Sequence, residues 1–249
     1  MKKILVIGES CLDIFTYGSA DRLCPEAPVP VFKQEDSITF MGMAFNVHRN
    51  TIACLNDLGE EAEVDIKSNQ SIGAKVRYID SKSNQMFLRV DSDEYKEINK
   101  LKLREANIWS YDAVIVSDYN KGYLKNSDLK YIADNAQMSF LDTKKKYDSK
   151  WADSFDLIKI NEKEYEENGF KGMEMKNLIV TLGGEGCRFR GKKYPLKSVA
   201  QVRDVSGAGD TFLAAFATNY LFNQNVDLAI EYAQTCCSIV VSKAGTATI

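Results

Sequence analysis

Short apolar runs alternate with longer amphipathic stretches along most of the chain. The short runs are typical of strands buried in a parallel sheet, and the amphipathic stretches are typical of helices that cover it. This alternation predicts an α/β fold with a mostly parallel central sheet flanked by helices on both faces. The predicted strands are residues 3–8, 113–117, 138–142, 157–160 and 178–182. The predicted helices are residues 44–58, 126–135, 162–168, 208–222 and 226–243.

Two pairs of short segments interrupt that alternation, because too few residues separate their members for a helix to fit. Their spacing is that of hairpins, which indicates a small additional sheet. We expect a β lid built from about residues 25–41 and 74–91, on a single domain that spans residues 1–249. The segments are residues 29–33 with 37–41, and residues 74–79 with 85–90.

The composition favours a small ligand over a macromolecular partner. The chain has 249 residues, 45% hydrophobic and 27% charged, and its net charge of -3 comes from interleaved acidic and basic residues. No broad basic face for nucleic acid or acidic lipid is evident, so we expect neither as a partner. The first apolar run, residues 4–7, is too short for a secretion signal or a membrane span, and a cytoplasmic location is expected.

The cysteines and the histidine give little sign of metal or redox chemistry. The six cysteines are scattered without a C-x-x-C pair, and His48 is the single histidine, so neither a zinc site nor a disulfide framework is expected. His48 lies in a predicted helix and is interpreted as a packing or surface residue rather than a general base. Cys236 and Cys237 lie among small and apolar helix residues, which favours buried packing over redox work.

The segment with the strongest chemical signal is Asp-Val-Ser-Gly-Ala-Gly-Asp-Thr-Phe at residues 204–212, directly before an apolar helix. Small residues let a phosphate approach the backbone, and the first turn of a helix offers unpaired N–H groups, so an anion site is predicted at Gly207, Ala208 and Gly209. Asp210 could accept the proton of an attacking hydroxyl beside that site. The alternative is that the glycines and the aspartate merely cap the helix.

This segment resembles the D-T-x-G-A-G-D signature of the PfkB, or ribokinase-like, carbohydrate kinases, with Val205 in place of the threonine. The resemblance implies a ribokinase-like fold and an ATP-dependent phosphotransferase with an alcohol group as acceptor. It gives Asp210 the role of catalytic base and residues 207–209 that of an anion hole. It also implies ATP and Mg²⁺ as cofactors, with a monovalent cation as a further candidate.

Other segments match the family in the same order along the chain. Asn161 and Glu164 stand where these kinases carry N-x-x-E, which is associated with the ordering of magnesium and phosphate, so Glu164 is the candidate for an indirect metal contact. The cofactor-binding residues implied by the resemblance are Asn161, Glu164, Lys144, Thr181, Gly183 and Gly186.

The resemblance also implies a sugar site near the amino terminus. Asp13 matches the aspartate that binds sugar hydroxyls, and Gly42 with Asn46 matches the glycine-rich sugar contact. Arg89 is a candidate for binding an anionic group of the substrate. The alternative is that Arg89 forms a salt bridge within the lid. The substrate is therefore expected to be a sugar or a sugar phosphate.

Several details resemble one branch of the family, the heptose 7-phosphate kinases that feed the ADP-heptose pathway. The most specific is Cys-Pro-Glu-Ala-Pro-Val-Pro-Val at residues 24–31, since an edge strand guarded by prolines would not explain the intervening Glu26 and Ala27. The branch implies D-glycero-D-manno-heptose 7-phosphate, phosphorylated at its anomeric hydroxyl. The other matching segments are residues 88–91, 117–122, 142–144 and 244–248.

Two departures keep other functions open. Met43 replaces the second of the family's paired glycines, and the interval 59–73 shows no sign of the strand, the helix and the V-G-x-D-x-x-G segment that the family carries there. The chain could thus be a minimal kinase, a kinase of another small sugar or a nucleoside, or a catalytically silent binding homologue. A homodimer through the lid is a further expectation.

Residues 186–193 nearly match a P-loop but lack its Ser or Thr, which predicts a chance hairpin turn.

Overall fold

The structure, a computed structural model, describes residues 1–69, 73–92, 103–170, 175–197, 201–243 and 245–249. Ala244, within the matching segment 244–248, and residues 70–72 of the shortened interval lie outside the described residues.

The strands and helices follow one another as the alternation of apolar and amphipathic segments predicts. The strands are β1 (Lys2–Gly8), β2 (Ser10–Leu23), β3 (Pro30–Met43), β4 (Ala62–Ser68), β5 (Gly73–Asp80), β6 (Met86–Ser92), β7 (Ala113–Asp118), β8 (Ser139–Thr143), β9 (Leu157–Asn161), β10 (Leu178–Thr181), β11 (Cys187–Phe189) and β12 (Lys192–Tyr194). The helices are α1 (Ala44–Leu58), α2 (Asn126–Asn135), α3 (Ser149–Ala152), α4 (Glu162–Glu167), α5 (Ala208–Asn223) and α6 (Val226–Val241). Short 3-10 turns lie at Leu103–Ala106, Ile108–Ser110 and Gly183–Glu185.

The main sheet has eight strands in the order β12-β11-β10-β9-β8-β7-β1-β4. The pairs from β10 to β4 are parallel, whereas β11 and β12 form an antiparallel hairpin at one edge. The predicted α/β class is confirmed, as is the hairpin predicted for residues 186–193. All five predicted strands and all five predicted helices appear, with ends that differ by one or two residues.

Two hydrophobic cores lie on opposite faces of the main sheet. One joins α1, α5 and α6 to the sheet, and in it Phe216 packs edge-on to Phe140 and stacks on Tyr220. The other lies under α2, α3 and α4 and includes the fully buried Trp151. In the described part of the chain, no helix is both long and apolar enough to cross a membrane.

A second sheet of four strands, in the order β3-β2-β5-β6, includes the predicted hairpin of β5 and β6. The prediction for the first pair was wrong, because residues 29–33 and 37–41 do not pair with each other. Residues 30–33 and 37–41 belong to the single strand β3, which pairs with β2 and passes Glu35 as a bulge. β2 was not predicted, because its polar residues and Gly18 hide an alternation in which Cys11, Asp13 and Phe15 face the interior.

The interval 59–73 contains a strand that sequence analysis did not find. β4 pairs with β1 in parallel and forms the edge of the main sheet. In β4 the apolar residues Ala62, Val64 and Ile66 alternate with charged residues. The strand therefore lacks the continuous apolar run by which the inner strands were recognised. The chain then passes almost directly into β5.

The first connection between the two sheets is a single residue, Glu9, between the end of β1 at Gly8 and the start of β2. A Cβ at Gly8 would lie 1.9 Å from the carbonyl oxygen of Ser117, so β1 and β7 approach too closely there for any other residue. Ser10 is tied in turn to the end of β4, since its N–H donates to the side-chain oxygen of Asn69 at 2.6 Å. The second sheet therefore stands over the carboxyl ends of the parallel strands.

The aromatic packing between α5 and the main sheet should carry a large share of the stability of the chain. Phe216 is 1% exposed, so Phe216→Ala is expected to lower the free energy of unfolding by about 3–5 kcal/mol, measured by urea unfolding. The matched control is Leu228→Ala on α6, where the side chain is 53% exposed and a change of about 0.5 kcal/mol or less is expected. Equal losses in the two variants would contradict this view of the core.

Candidate functional site

The candidate site lies where the amino terminus of α5 meets the carboxyl ends of the parallel strands. In an α/β sheet this edge is where ligands bind, because the strand ends open onto loops and helix amino termini. Asp210 is in the first turn of α5 and is only 4% exposed. Its carboxyl group therefore lies on the floor of a cleft between the main sheet and the second sheet.

The glycines before Asp210 shape a backbone cradle. Gly207 precedes α5 with φ 80°, a left-handed conformation that favours glycine, and a Cβ there would lie 2.6 Å from Nδ2 of Asn46. A Cβ at Gly209 would lie 2.8 Å from Nζ of Lys159. The Ala208 N–H donates to the carbonyl oxygen of Val205 at 3.2 Å, and the anion site at residues 207–209 stays a prediction.

Asp210 is held by one donor on each carboxyl oxygen. Asn46 donates to Oδ2 at 3.1 Å and the Tyr119 hydroxyl donates to Oδ1 at 2.9 Å. Burial raises the pKa of Asp210 to about 6, and the nearby Asp142 adds to the rise, while these two hydrogen bonds and Lys159 oppose it. A carboxyl group with this pKa is ionised at neutral pH and is still basic enough to accept a proton.

A buried ion pair lies beside the cradle. Nζ of Lys159 on β9 contacts Oδ2 of Asp142 on β8 at 2.7 Å, and both side chains are nearly inaccessible to solvent. Burial alone would lower the pKa of Lys159, but the Asp142 carboxylate outweighs it and the net shift is upward. The lysine therefore remains a cation, which places a fixed positive charge next to the amides of residues 207–209.

An apolar cavity of about 220 Å³ lies against the outer side of the same cradle. It includes three residues that the family resemblance assigned to the nucleotide, Thr181, Gly183 and Gly186. Apolar walls beside an anion cradle suit a nucleotide whose base is buried and whose phosphates reach the helix. The other lining residues are Gly184, Leu196, Val202, Val205, Ala208, Gly209, Phe212, Gln234, Cys237, Ser238 and Val241.

Asn161 and Glu164 contact each other rather than open space. The Asn161 side chain accepts from the Glu164 N–H, and the Glu164 carboxylate accepts from the Asn161 N–H, each at 2.9 Å, which forms a capping box for α4. The remaining Glu164 oxygen is paired with Lys144. This motif therefore has a structural role in the geometry seen here.

The residues present fit a magnesium ion that arrives with a nucleotide. In the described ranges, no three His, Cys, Asp or Glu side chains are grouped so as to hold a metal. Mg²⁺ does not need such a cage, because it usually keeps several waters and binds one or two carboxylates together with substrate phosphates. Glu164 is buried and its two carboxylate oxygens contact the Asn161 N–H and Lys144, so its indirect metal contact stays a prediction.

The predicted sugar residues lie on the lower face of the second sheet and at the start of α1. Asp13 forms a buried pair with Arg77 at 2.7 Å, and a Cβ at Gly42 would lie 2.0 Å from its Oδ2, so glycine is required there. Met43, which replaces the family's second glycine, has φ 60° and ψ -125° and is buried. Met43 thus adopts a backbone conformation that favours glycine.

Arg89 is the predicted site residue whose partner lies within its own strand. Its Nε and Nη2 donate to the two oxygens of Asp91, each at 2.7 Å, so the salt-bridge alternative describes the geometry seen here. Lys75 on the neighbouring strand lies opposite Asp91. The three cations Lys75, Arg77 and Arg89 all lie on the second sheet, on the side that faces the cleft.

Sequence reasoning missed three residues that the structure brings into the site. Tyr119, Lys159 and Glu9 lie within or directly after predicted strands, close to the strand ends. This position is a signal that could have marked them, since strand ends of a parallel sheet meet at one edge. Tyr119 was part of a matching segment, but nothing in the sequence showed that its hydroxyl reaches Asp210. That contact joins residues 91 positions apart and needs the topology.

Comparison with known proteins gives a consistent result. The family model described as pfkB family carbohydrate kinase matches residues 60–249. The bifunctional protein HldE of a Nitratiruptor species is 31% identical over 293 residues, covering 99% of this chain and 63% of that protein. The protein of the same name from Caulobacter vibrioides is 32% identical over 298 residues, covering 98% and 61%.

The chain spans about three fifths of the length of these curated relatives. Because the aligned lengths also exceed 249 residues, the relatives contain segments within the matched region that have no counterpart here.

Solved structures show the same fold at lower identity. Ribokinase from Thermotoga maritima aligns with a TM-score of 0.70 and 18% identity, covering 99% of this chain and 95% of that one. Ribokinase from Arabidopsis thaliana, complexed with ribose and ATP, aligns with a TM-score of 0.68 and 17% identity, covering 98% and 93%. The microbiome-derived acarbose kinase Mak1 aligns with a TM-score of 0.72 and 16% identity, covering 100% and 95%. The ribokinase-like fold expected from the motif is thereby confirmed.

The buried carboxyl group of Asp210 should reduce stability at neutral pH. Its folded pKa of about 6 exceeds the ordinary value of 3.8, so its contribution to stability is fully present below pH 3.8 and is lost as pH rises through 6. Asp210→Asn, which removes the charge and keeps the shape, is expected to raise the free energy of unfolding by about 1–3 kcal/mol at pH 8. The gain should vanish near pH 4, as measured by urea unfolding at both pH values.

The matched control is a second buried carboxylate of the site, Asp142. Asp142→Asn leaves Lys159 without the carboxylate that it contacts, so it should destabilise by about 3–5 kcal/mol at the same pH. If Asp210→Asn were no more stable than the wild type at pH 8, the Asp210 carboxyl would not have the raised pKa described here.

Proposed function

Because the chain belongs to the pfkB family of carbohydrate kinases, we propose that residues 1–249 act as one kinase domain that transfers the γ-phosphate of ATP to a sugar phosphate. The observation that carries this proposal is the position of Asp210. It is a buried carboxyl group of raised pKa, held in a fixed orientation beside an open helix amino terminus. Those are the two parts that phosphoryl transfer requires, a proton acceptor and an anion cradle.

In the proposed reaction, a substrate hydroxyl beneath the second sheet attacks the γ-phosphate in line. Asp210 accepts the proton of that hydroxyl, and the amino terminus of α5 at residues 207–209 stabilises the negative charge of the moving phosphoryl group. Lys159 on β9 adds a fixed positive charge next to Gly209. Mg²⁺, bound with the nucleotide and ordered from the Glu164 side, would neutralise phosphate charge.

The second sheet supports an anionic substrate. Lys75, Arg77 and Arg89 lie together on its cleft side, and Asp13 is placed to accept sugar hydroxyls beside them. A sugar phosphate satisfies both features, since its hydroxyls suit the carboxylate and its phosphate suits the cations. With the matching segments at residues 24–31 and 117–122, this favours D-glycero-D-manno-heptose 7-phosphate, phosphorylated at its anomeric hydroxyl.

The second candidate is a binding homologue without catalysis. The observation that favours it is the shortened interval 59–73, which leads from β4 almost directly into β5 and removes a segment that kinases of this family place near the sugar. A kinase of another small sugar or a nucleoside is the remaining alternative, and substrate preference alone distinguishes it. We also propose a cytoplasmic location, in keeping with six free thiols.

The first experiment is ADP release from Mg²⁺-ATP by the purified protein. The acceptors are D-glycero-D-manno-heptose 7-phosphate, other sugar phosphates and a nucleoside, each in potassium and in tetramethylammonium buffer. Turnover with the heptose phosphate is expected, reduced by about 10²–10⁴-fold in Asp210→Asn because the proton acceptor is lost. The matched control is Asp134→Asn on α2, where the exposed carboxylate pairs with Lys130. This substitution should leave turnover unchanged.

The outcomes separate the alternatives. Equal turnover by the wild type and Asp210→Asn would remove Asp210 as the base. No turnover with any acceptor, while ATP still binds, would favour the silent homologue. Preference for a different acceptor would move the assignment to that sugar, and a dependence on potassium would establish the monovalent cation.

We further propose that two copies of the chain pair through the second sheet, whose strand β6 exposes Met86, Phe87, Leu88 and Val90. Four exposed apolar side chains on one strand are more than a solvated edge strand usually carries, and a second copy offers the same apolar surface. Sedimentation velocity is expected to show a dimer that Leu88→Asp converts to a monomer. Leu228→Asp, at an equally exposed leucine on α6, should leave the dimer intact, and a monomeric wild type would refute the pairing.

A further inference from the structure

Tyr119 lies at the point where the floor of the site meets the second sheet. It follows β7 directly, and its hydroxyl donates to Oδ1 of Asp210 at 2.9 Å while Asn46 donates to Oδ2. A carboxyl group can rotate about its Cβ–Cγ bond when only one oxygen is anchored. With one donor on each oxygen, its plane is fixed relative to the substrate side of the cleft.

The loop that carries Tyr119 is itself held by a buried carboxylate. Glu9, at 0% exposure, accepts from the backbone N–H groups of Tyr119 at 2.7 Å, Lys121 at 2.9 Å and Tyr123 at 3.2 Å. Burial raises the pKa of Glu9, and Asp118 adds to the rise, while the three N–H donors oppose it. A glutamate in this position fixes the loop backbone, and through it the direction of the Tyr119 side chain.

The ring of Tyr119 also contacts cations from both sides of the cleft. Nζ of Lys75, on the second sheet, lies 4.9 Å from the ring centroid, and Nζ of Lys144, after β8, lies 5.8 Å from it. The phenol is partly buried, and the loss of solvation raises its pKa well above the ordinary value, with the Asp210 charge raising it further. It therefore stays protonated and acts as a hydrogen-bond donor throughout the working pH range.

We propose that Tyr119 is a positioning residue for phosphoryl transfer, whose hydroxyl fixes the Asp210 carboxyl in the orientation that accepts the substrate proton, and that Glu9 acts through Tyr119 by holding its loop. This rests on the proposed role of Asp210 as the base. The donor set explains why a buried carboxylate stays ordered before substrate arrives. It also gives a role to the buried glutamate that forms the single-residue connection from β1 to β2.

Loss of the hydroxyl should change turnover and its pH dependence rather than binding. The charged or titratable groups that face Asp210 are Asp142 from β8, Lys159 from β9, Cys11 from β2 and Tyr119 itself. Burial raises the pKa of Cys11 to about 11 and that of Asp210 to about 6, so the Cys11 thiol stays neutral in the range where Asp210 titrates. Since the Tyr119 hydrogen bond stabilises the ionised form of Asp210, its removal moves the pKa of Asp210 upward.

The test is steady-state kinetics of Tyr119→Phe from pH 5 to 9 with Mg²⁺-ATP and the acceptor that the wild type prefers. We expect kcat to fall about 10-fold or more, as for loss of a hydrogen bond to a charged group. Both KM values should stay within about twofold, because the change acts on the transition state. The acid limb of the profile should move to higher pH. The matched control is Tyr111→Phe, which removes a tyrosine-to-carboxylate hydrogen bond to Asp65 far from the site and should leave kcat and the profile unchanged.

A second arm tests Glu9. Glu9→Gln is expected to lower kcat with the same shift of the acid limb, and Tyr119→Phe combined with Glu9→Gln should lose no more than the larger single loss. Losses that multiply would show that Glu9 acts independently of Tyr119 and would overturn that part of the proposal. Wild-type kcat and an unshifted limb in Tyr119→Phe would overturn the rest. If that happened while Asp210→Asn remained inactive, the base would stand and only the positioning role would fail.

Discussion

The carboxyl group of Asp210 lies where water hardly reaches, and neighbouring elements supply the interactions that water would have supplied. Helix α5 provides the partial positive charge of its amino terminus. Helix α1 provides Asn46, and the loop after β7 provides Tyr119. A buried charge is tolerated only when such donors surround it, since desolvation otherwise drives the group to its neutral form. The glycine at 207 follows from the same constraint, because a side chain there would displace Asn46.

The sequence predicted the part of this arrangement that is encoded locally. Residues 204–212 indicate a helix amino terminus with small residues before it, and continuous apolar runs indicate the inner strands. β2 and β4 were missed because each alternates apolar and polar residues. β2 is an inner strand of the second sheet, and β4 is an edge strand of the main sheet. In both, burial on one face depends on a partner that the chain supplies far away in sequence.

The site residues that were missed share that dependence on distant partners. Lys159 could have been a surface residue by composition, and only the neighbouring β8 brings Asp142 to neutralise it. Glu9 would have been read as a polar residue after a strand, yet its partners are three amides more than 100 positions away. The motif predicted for Asn161 and Glu164 shows the opposite case, in which a matching pattern has a sufficient local explanation as a helix cap.

The short connection after β4 has a kinetic consequence for the chain. Ser10 contacts both Ser68, at 2.5 Å between their side-chain oxygens, and Asn69, so the start of β2 and the approach to β5 are fastened at one point. β2 and β5 then pair in parallel, and only four residues separate the end of β4 from the start of β5. Since parallel pairing is slowed by the loop that must close before it, a shorter route lowers the entropic barrier to assembling the second sheet. A variant with residues inserted between β4 and β5 is therefore expected to acquire its β2–β5 pairing later in folding.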